Sequence, residues 1–265
     1  NYNLFNDDCI EAMDRLISEG VVVDCIIADP PYGGTDNSWD IPIDLDSMWS
    51  RLKSLVKING AIVLFAQGRF AKTLGASNIK HYRYEWIWVK EQATGFLNSM
   101  RAPLKQHENI LVFFEKQGIY NPQLRYGFKP YPILTARHHS NGDSYKSPNY
   151  KGKPSSFSVS KSDFGERQPI DMLYFTRDKP NLHPTQKPVK LLEHLIQTYT
   201  NEGETVLDFV MGSGTTGLAC KHTNRNFIGI EDNREYFDLA NQRIEEAVAA
   251  KTVNGYKQAT FLGGI

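Results

Sequence analysis

The sequence is poor in cysteine, has no long apolar run and carries no net charge. Its three cysteines, Cys9, Cys25 and Cys220, are odd in number and far apart. That spacing excludes a disulfide framework and a cysteine metal knuckle, and it predicts a reducing compartment. No second ligand stands at metal spacing from His107, so no metal site is expected and His107 reads as a structural or nucleic-acid-side group. A run of eighteen apolar residues is missing, as is a signal-peptide pattern, so a soluble, cytoplasmic protein with no membrane contact is expected. Lysine plus arginine equals aspartate plus glutamate, 30 each, which excludes a uniformly basic nucleic-acid binder. The balance hides a local excess. Residues 116–190 carry 13 Lys/Arg against 5 Asp/Glu, between two acidic segments, and phosphate binding follows local sign rather than the total. The bland alternative is a lysine-rich surface insertion.

What is present centres on Asp29-Pro30-Pro31-Tyr32. The preceding residues 21–28 are rich in β-branched side chains and read as a buried strand. Proline lacks an N–H and fixes φ, so two prolines end the strand on a stiff path. One carboxylate, a backbone carbonyl and one aromatic ring are thereby held at a strand's carboxyl end, where open α/β sheets bind ligands. A carboxylate and a carbonyl can accept both hydrogens of an exocyclic amine, and a ring can stack on the base that bears it.

The first 115 residues alternate strand and helix patterns. Strands are expected at 4–5, 21–28, 61–65, 84–89 and 109–114, and helices at 10–18, 45–57 and 69–74, with Gly60 ending the second helix. From 117 to 180 the pattern dissolves into Pro, Gly, Ser, Tyr and Lys, and a loop of this length is functional or disordered. Order returns with a helix from Pro188 to about Thr200, strands at 205–209 and 226–230, and a last helix at 235–250.

Gly212-x-Gly214-x-x-Gly217 follows one of these strands and opens a helix, and Glu231 stands 19 residues beyond Gly212. The pattern fits a tight turn close to a ligand, with an acid for ribose hydroxyls. A NAD-binding oxidoreductase is therefore a competitor. Only 48 residues follow Gly217, so the remaining strands must come from upstream and the sheet must be circularly permuted.

These residues together resemble the beta class of DNA amino-methyltransferases, which methylate adenine N6 or cytosine N4. Asp29-Pro30-Pro31-Tyr32 resembles their catalytic tetrapeptide. Asp208 to Thr216 resembles their cofactor loop, departing at Phe209 and Val210 from its usual Pro-Phe pair. His183 to Pro188 and Asp8-Cys9-Ile10-Glu11 resemble two further family segments. The resemblance implies a permuted Rossmann-like α/β fold, mostly parallel with one antiparallel strand. It divides the chain into a catalytic half (1–116), a target-recognition insert (117–182), a cofactor half (183–250) and a tail (251–265). S-adenosylmethionine is the implied cofactor, held by Asp8, Cys9, Asp29, Thr185, Gln186, Lys187, Asp208, Phe209, Gly212, Ser213, Gly214, Thr215, Thr216, Glu231 and Asp232. Asp29, Pro30, Pro31 and Tyr32 are the implied catalytic residues. Double-stranded DNA is the implied substrate, flipped out at one base, and a second copy of the chain and a cognate restriction endonuclease are the partners such enzymes have. Aspartate at 29 favours adenine N6 over cytosine N4, where serine is more usual.

Overall fold

The structure is a computed structural model that describes residues 1–33, 42–128, 165–178 and 186–247. Its strands are β1 (Tyr2–Phe5), β2 (Val23–Ala28), β3 (Val56–Ala66), β4 (Tyr82–Thr94), β5 (Lys105–Phe113), β6 (Met172–Tyr174), β7 (Thr205–Asp208) and β8 (Asn226–Ile230). Its helices are α1 (Cys9–Ser18), α2 (Leu45–Leu55), α3 (Gly68–Ser77), α4 (Val189–Tyr199), α5 (Thr215–His222) and α6 (Arg234–Glu246). The strands form one sheet in the order β1-β8-β7-β2-β3-β5-β4-β6. Among the described strands only β5 runs against its neighbours, antiparallel to both β3 and β4. The permuted, mostly parallel α/β sheet expected from the resemblance is the one found.

Strand alternation builds two cores, one on each face of the sheet. Cys25, Ile27, Val63 and Phe65 point to one face with α4, α5 and α6 residues such as Leu195, Ala219 and Ala240. Ile26, Ala28, Ile62 and Leu64 point to the other with Met13, Leu52 and Leu74 of α1, α2 and α3. A sheet covered on both faces needs strands apolar at every position, and this explains the unbroken runs at 25–28 and 61–66.

Several boundaries differ from expectation. Helix α2 stops at Leu55, and Gly60 does not end it: β3 begins at Val56 and passes through Gly60. A Cβ at Gly60 would stand 2.6 Å from the Asp24 carbonyl and 2.5 Å from a Val56 methyl. The glycine lets β3 pass close to β2 where their register shifts. Strand β6 was not expected; it adds three residues, parallel, to the edge of β4. Helix α6 ends at Glu246, with Ala247 extended, so 248–250 and the tail lie outside the described residues.

The chain forms two compact units. The first runs Asn1–Gln123 and resumes at Ile170; the second begins at Leu124 and includes residues up to Pro169. In the second, Arg125 and Arg167 pair backbone to backbone at 2.8 Å and each lies over the Phe128 ring, at 5.0 and 5.6 Å. Among the described residues no helix is long and apolar enough to cross a membrane, and no group of three or more His, Cys, Asp or Glu could hold a metal ion.

Candidate active site

Two adjacent strand ends carry the site. β2 and β7 pair in parallel, Cys25 opposite Val206 and Ile26 opposite Leu207. From β2 the chain crosses to β3 on one side, and from β7 to β8 on the other. This reversal leaves a crevice at the carboxyl ends. Asp29 ends one strand and Asp208 the other.

Asp29 is held on both oxygens. The Tyr32 hydroxyl donates to Oδ1 and the Lys187 ammonium to Oδ2. Burial raises the Asp29 pKa, Lys187 opposes that rise, and the charge of Glu108 adds to it. The Tyr32 ring stacks on Phe70 of α3, centroids 5.0 Å apart and planes at 28°. The expected stacking ring is therefore backed by a second aromatic. Pro30 is buried and Pro31 half-buried.

Lys187 is buried and sits 5.0 Å over the Phe65 ring. Its Nζ lies 3.3 Å from Glu108 Oε2, and Lys90 donates to Glu108 Oε1 at 3.1 Å. Burial opposes ionisation of Glu108, but the two lysines outweigh it and hold the carboxyl below its usual range. Burial likewise works against the Lys187 charge, and Asp29 and Glu108 overcome it and raise its pKa. Sequence placed Lys187 with the cofactor residues; the fold brings it to the Asp29 carboxylate. Gln186 beside it is buried, and Thr185 lies outside the described residues.

The glycine loop closes the crevice from the other side. Asp208 accepts from the Thr216 hydroxyl at 2.5 Å and the Val210 N–H at 3.2 Å. Burial pushes its pKa up to about 7 against those bonds. Gly212 and Gly214 take positive φ, +53° and +75°. Glu231 accepts from the Gly212 N–H at 2.8 Å and the Asn233 N–H at 3.0 Å, so the acid is bound to the loop it serves. Ser213, Thr215 and Thr216 are buried, and Arg243 of α6 donates to Ser213 Oγ at 3.0 Å. Phe209 is wholly buried in the core beneath this loop.

At the edge of the crevice Asp8 caps α1, accepting from Ile10 and Glu11 at 2.8 and 3.1 Å. Burial raises the Cys9 thiol to about 12, helped by the charges of Asp8 and Asp232. Asn6 ties the Glu231 and Asp232 carbonyls to the end of β1 at 2.9 and 3.1 Å. His107 is exposed, its carbonyl accepting from Gln67 at 3.0 Å. Lys90 and Glu108 lie in segments that resemble the family's, Trp86-x-Trp88-x-Lys90 and His107 to Leu111, but the sequence gives them no role, and it does not single out Arg243. A lysine and a glutamate inside otherwise apolar strands were the available signal for the first two.

Comparison with known proteins agrees with this geometry. The chain is 28% identical over 258 residues to the type II methyltransferase M.HpaI of Haemophilus parainfluenzae, covering 91% of this chain and 74% of that protein. It is 26% identical over 280 residues to the type II methyltransferase M2.MboI of Moraxella bovis, covering 97% and 92%. The structure of the M1.HpyAVI complex with S-adenosylmethionine superposes with a TM-score of 0.61 at 27% identity, covering 92% of this chain and 100% of that one. The nicotinamide alternative falls with these matches. Residues 23–242, from the start of β2 into α6, match the N6/N4 DNA methylase model, and the chain belongs to that family of DNA methyltransferases.

Proposed function

We propose that this DNA methyltransferase transfers the methyl group of S-adenosylmethionine to N6 of an adenine flipped out of duplex DNA. The observation that carries the reading is the meeting of Asp29 and the Asp208–Gly212 loop at one switch point. S-adenosylmethionine fits the residues present. A Cβ at Gly212 would meet nothing within 4 Å, so backbone faces open space there, and the Glu231 carboxylate stands beside it to accept from ribose hydroxyls. Ser213, Thr215 and Asp232 complete the rim, with Asp8 and Cys9 at the adenine side. When bound, the cofactor supplies an electrophilic methyl group on a sulfonium.

Asp29 and the Pro30 carbonyl accept the two hydrogens of the base amine. This turns the nitrogen lone pair out of conjugation and aims it in line at the methyl. The Asp29 charge stabilises the positive charge that develops on nitrogen, and alignment supplies much of the remainder. A duplex buries its bases in the stack, so the target must leave it. Tyr32, backed by Phe70, receives it. The basic segment 117–182 is the proposed source of phosphate contact and base reading, and its residues 129–164 and 179–182 lie outside the described residues. The type II names of the relatives make a restriction endonuclease of the same specificity the expected companion.

The test is incubation with labelled S-adenosylmethionine and plasmid DNA, then mass analysis of the nucleosides. N6-methyladenine supports the proposal. N4-methylcytosine alone would keep the mechanism and overturn the substrate, and unlabelled DNA would overturn both.

Tyr32 separates two contributions. Tyr32→Phe keeps the ring and loses the hydrogen bond to Asp29, and is expected to slow turnover by roughly tenfold, the size of one charge-assisted bond. Tyr32→Ala also loses base stacking, worth about 1–3 kcal/mol, and should weaken capture of the flipped base further. Fluorescence of 2-aminopurine at the target position reads that capture. Equal signals in the two variants would rule out the stacking role.

A further inference from the structure

Four charged side chains from four segments form a row of alternating sign: Lys90 on β4, Glu108 on β5, Lys187 before α4, and Asp29 after β2. Their side chains are 6%, 11%, 9% and 23% exposed. Fewer charges would neutralise the catalytic carboxylate; one lysine suffices for one aspartate. The added glutamate is the feature to explain, because a buried carboxylate with nothing to do is expensive to desolvate.

We propose that Glu108 is a positioning residue for Asp29: by drawing Lys187 toward its own second oxygen, it sets how firmly that lysine sits on the catalytic carboxylate, and Lys90 fixes Glu108 in turn. The inference rests on the reading of Asp29 as the group that holds the reacting amine.

The geometry supports sharing. Glu108 Oε1 is taken by Lys90, whereas Oε2 is buried and makes no hydrogen bond among the described residues. Lys187 Nζ lies 3.3 Å from that oxygen, within ion-pair reach. An ammonium has three hydrogens to distribute, so a small rotation moves one from Asp29 to Glu108. The chemistry requires such a choice. A cation seated wholly on Asp29 opposes the positive charge that grows on the amine nitrogen. A cation drawn toward Glu108 leaves an Asp29 lone pair free for the amine hydrogen and opposes that charge less.

Among the described residues, the charged and titratable groups that act on Asp29 come from several elements. Lys187, Glu108 and Tyr32 act on it directly, Asp208 stands on the neighbouring strand end, and Lys90 acts through Glu108. Removing the Glu108 charge commits Lys187 to Asp29 and stabilises its ionised form. Removing the Lys90 charge leaves Glu108 to pull harder on Lys187, and destabilises it.

The test is the single-turnover rate of methyl transfer against pH, with the full chain at saturating S-adenosylmethionine and DNA. In Glu108→Gln the acid limb should move to lower pH by about one unit. Its plateau should fall about tenfold, an indirect contact counting for less than the roughly hundredfold of a direct one. In Lys90→Met the limb should move the opposite way, and Glu108→Asp, which keeps the charge, should hold the wild-type limb. A structural role alone lowers plateaus or melting temperatures without moving limbs in opposite directions. If Glu108→Gln loses its melting transition, Lys90→Met and Glu108→Asp decide the question. Limbs that stay in place in active variants overturn this inference alone. Wild-type protein that forms no N-methylated base overturns the reading beneath it.

Discussion

Asp29→Ala is expected to leave S-adenosylmethionine affinity near the wild-type value while lowering kcat by roughly a hundredfold or more. The size follows from removing one aimed electrostatic group from the transition state, and the pattern from removing a contact made chiefly there. Asp29 stands at the end of β2, whereas the residues proposed to hold the cofactor's ribose, Gly212 and Glu231, belong to the other side of the switch point. Asp29→Asn is the informative companion. It keeps an acceptor for the Tyr32 hydroxyl but loses the charge that opposes Lys187, so it should be nearly as slow as the alanine variant. Both substitutions take the Asp29 charge away from the buried Lys187, and a fall in melting temperature is expected, since breaking a buried pair destabilises more than removing it whole. Calorimetry with S-adenosylmethionine and steady-state kinetics on DNA measure the two effects separately. An alanine variant with near-normal kcat would refute the role given to Asp29.

The parts of this site that were legible in the sequence are local ones. Asp29-Pro30-Pro31-Tyr32 announces itself because two prolines cannot sit inside a central strand. The glycine loop is visible because positive φ at Gly212 and Gly214 demands glycine, and the spacing to Glu231 is set by one helix and one strand. That the sheet is circularly permuted followed from having too few residues after Gly217 to build it. What could not be read depends on register between distant segments. Lys90 and Glu108 meet because β4 and β5 pair with Trp88 opposite Glu108. Lys187 joins them only once α4 has packed on the sheet. Arg243 reaches Ser213 across 30 residues of chain. Gly60 was misread because a glycine after a helical pattern is most simply a stop, whereas here it answers to the Asp24 carbonyl of the neighbouring strand. The burial of Phe209 was illegible for a related reason: a motif assigns a loop to a ligand, but only packing decides which side chains of the loop turn inward. Tyr32 was read for its ring, and its hydroxyl bond to Asp29 became visible only when the loop was folded.

Cofactor affinity is expected to strengthen about tenfold between pH 6 and pH 8 through Glu231. Burial lifts the Glu231 pKa to about 7; the N–H groups of Asn233 and Gly212 work against the rise, and the charge of Asp232 adds to it. Ribose hydroxyls donate to a carboxylate, so binding selects the ionised form. With a pKa near 7 the ionised fraction grows about tenfold over that interval, and affinity grows with it. Stability of the free protein runs the other way. A carboxyl raised in the folded state contributes most below its unfolded pKa, and that contribution is lost as pH rises through 7. Asp208, also lifted to about 7 by burial, acts in the same sense. The cofactor is thus worth most to the fold where the free protein is weakest. Glu231→Gln isolates the group. At pH 8 it should weaken S-adenosylmethionine binding by about 1.5–3 kcal/mol, the range for hydrogen bonds to a charged partner, or roughly ten- to a hundredfold. At pH 6 the two proteins should converge, because wild-type Glu231 is then largely protonated. Any slope that remains in Glu231→Gln belongs to Asp208 or to the cofactor's own amine. Calorimetric titrations of both proteins at pH 6, 7 and 8 measure this directly, and parallel slopes would show that Glu231 does not hold the ribose.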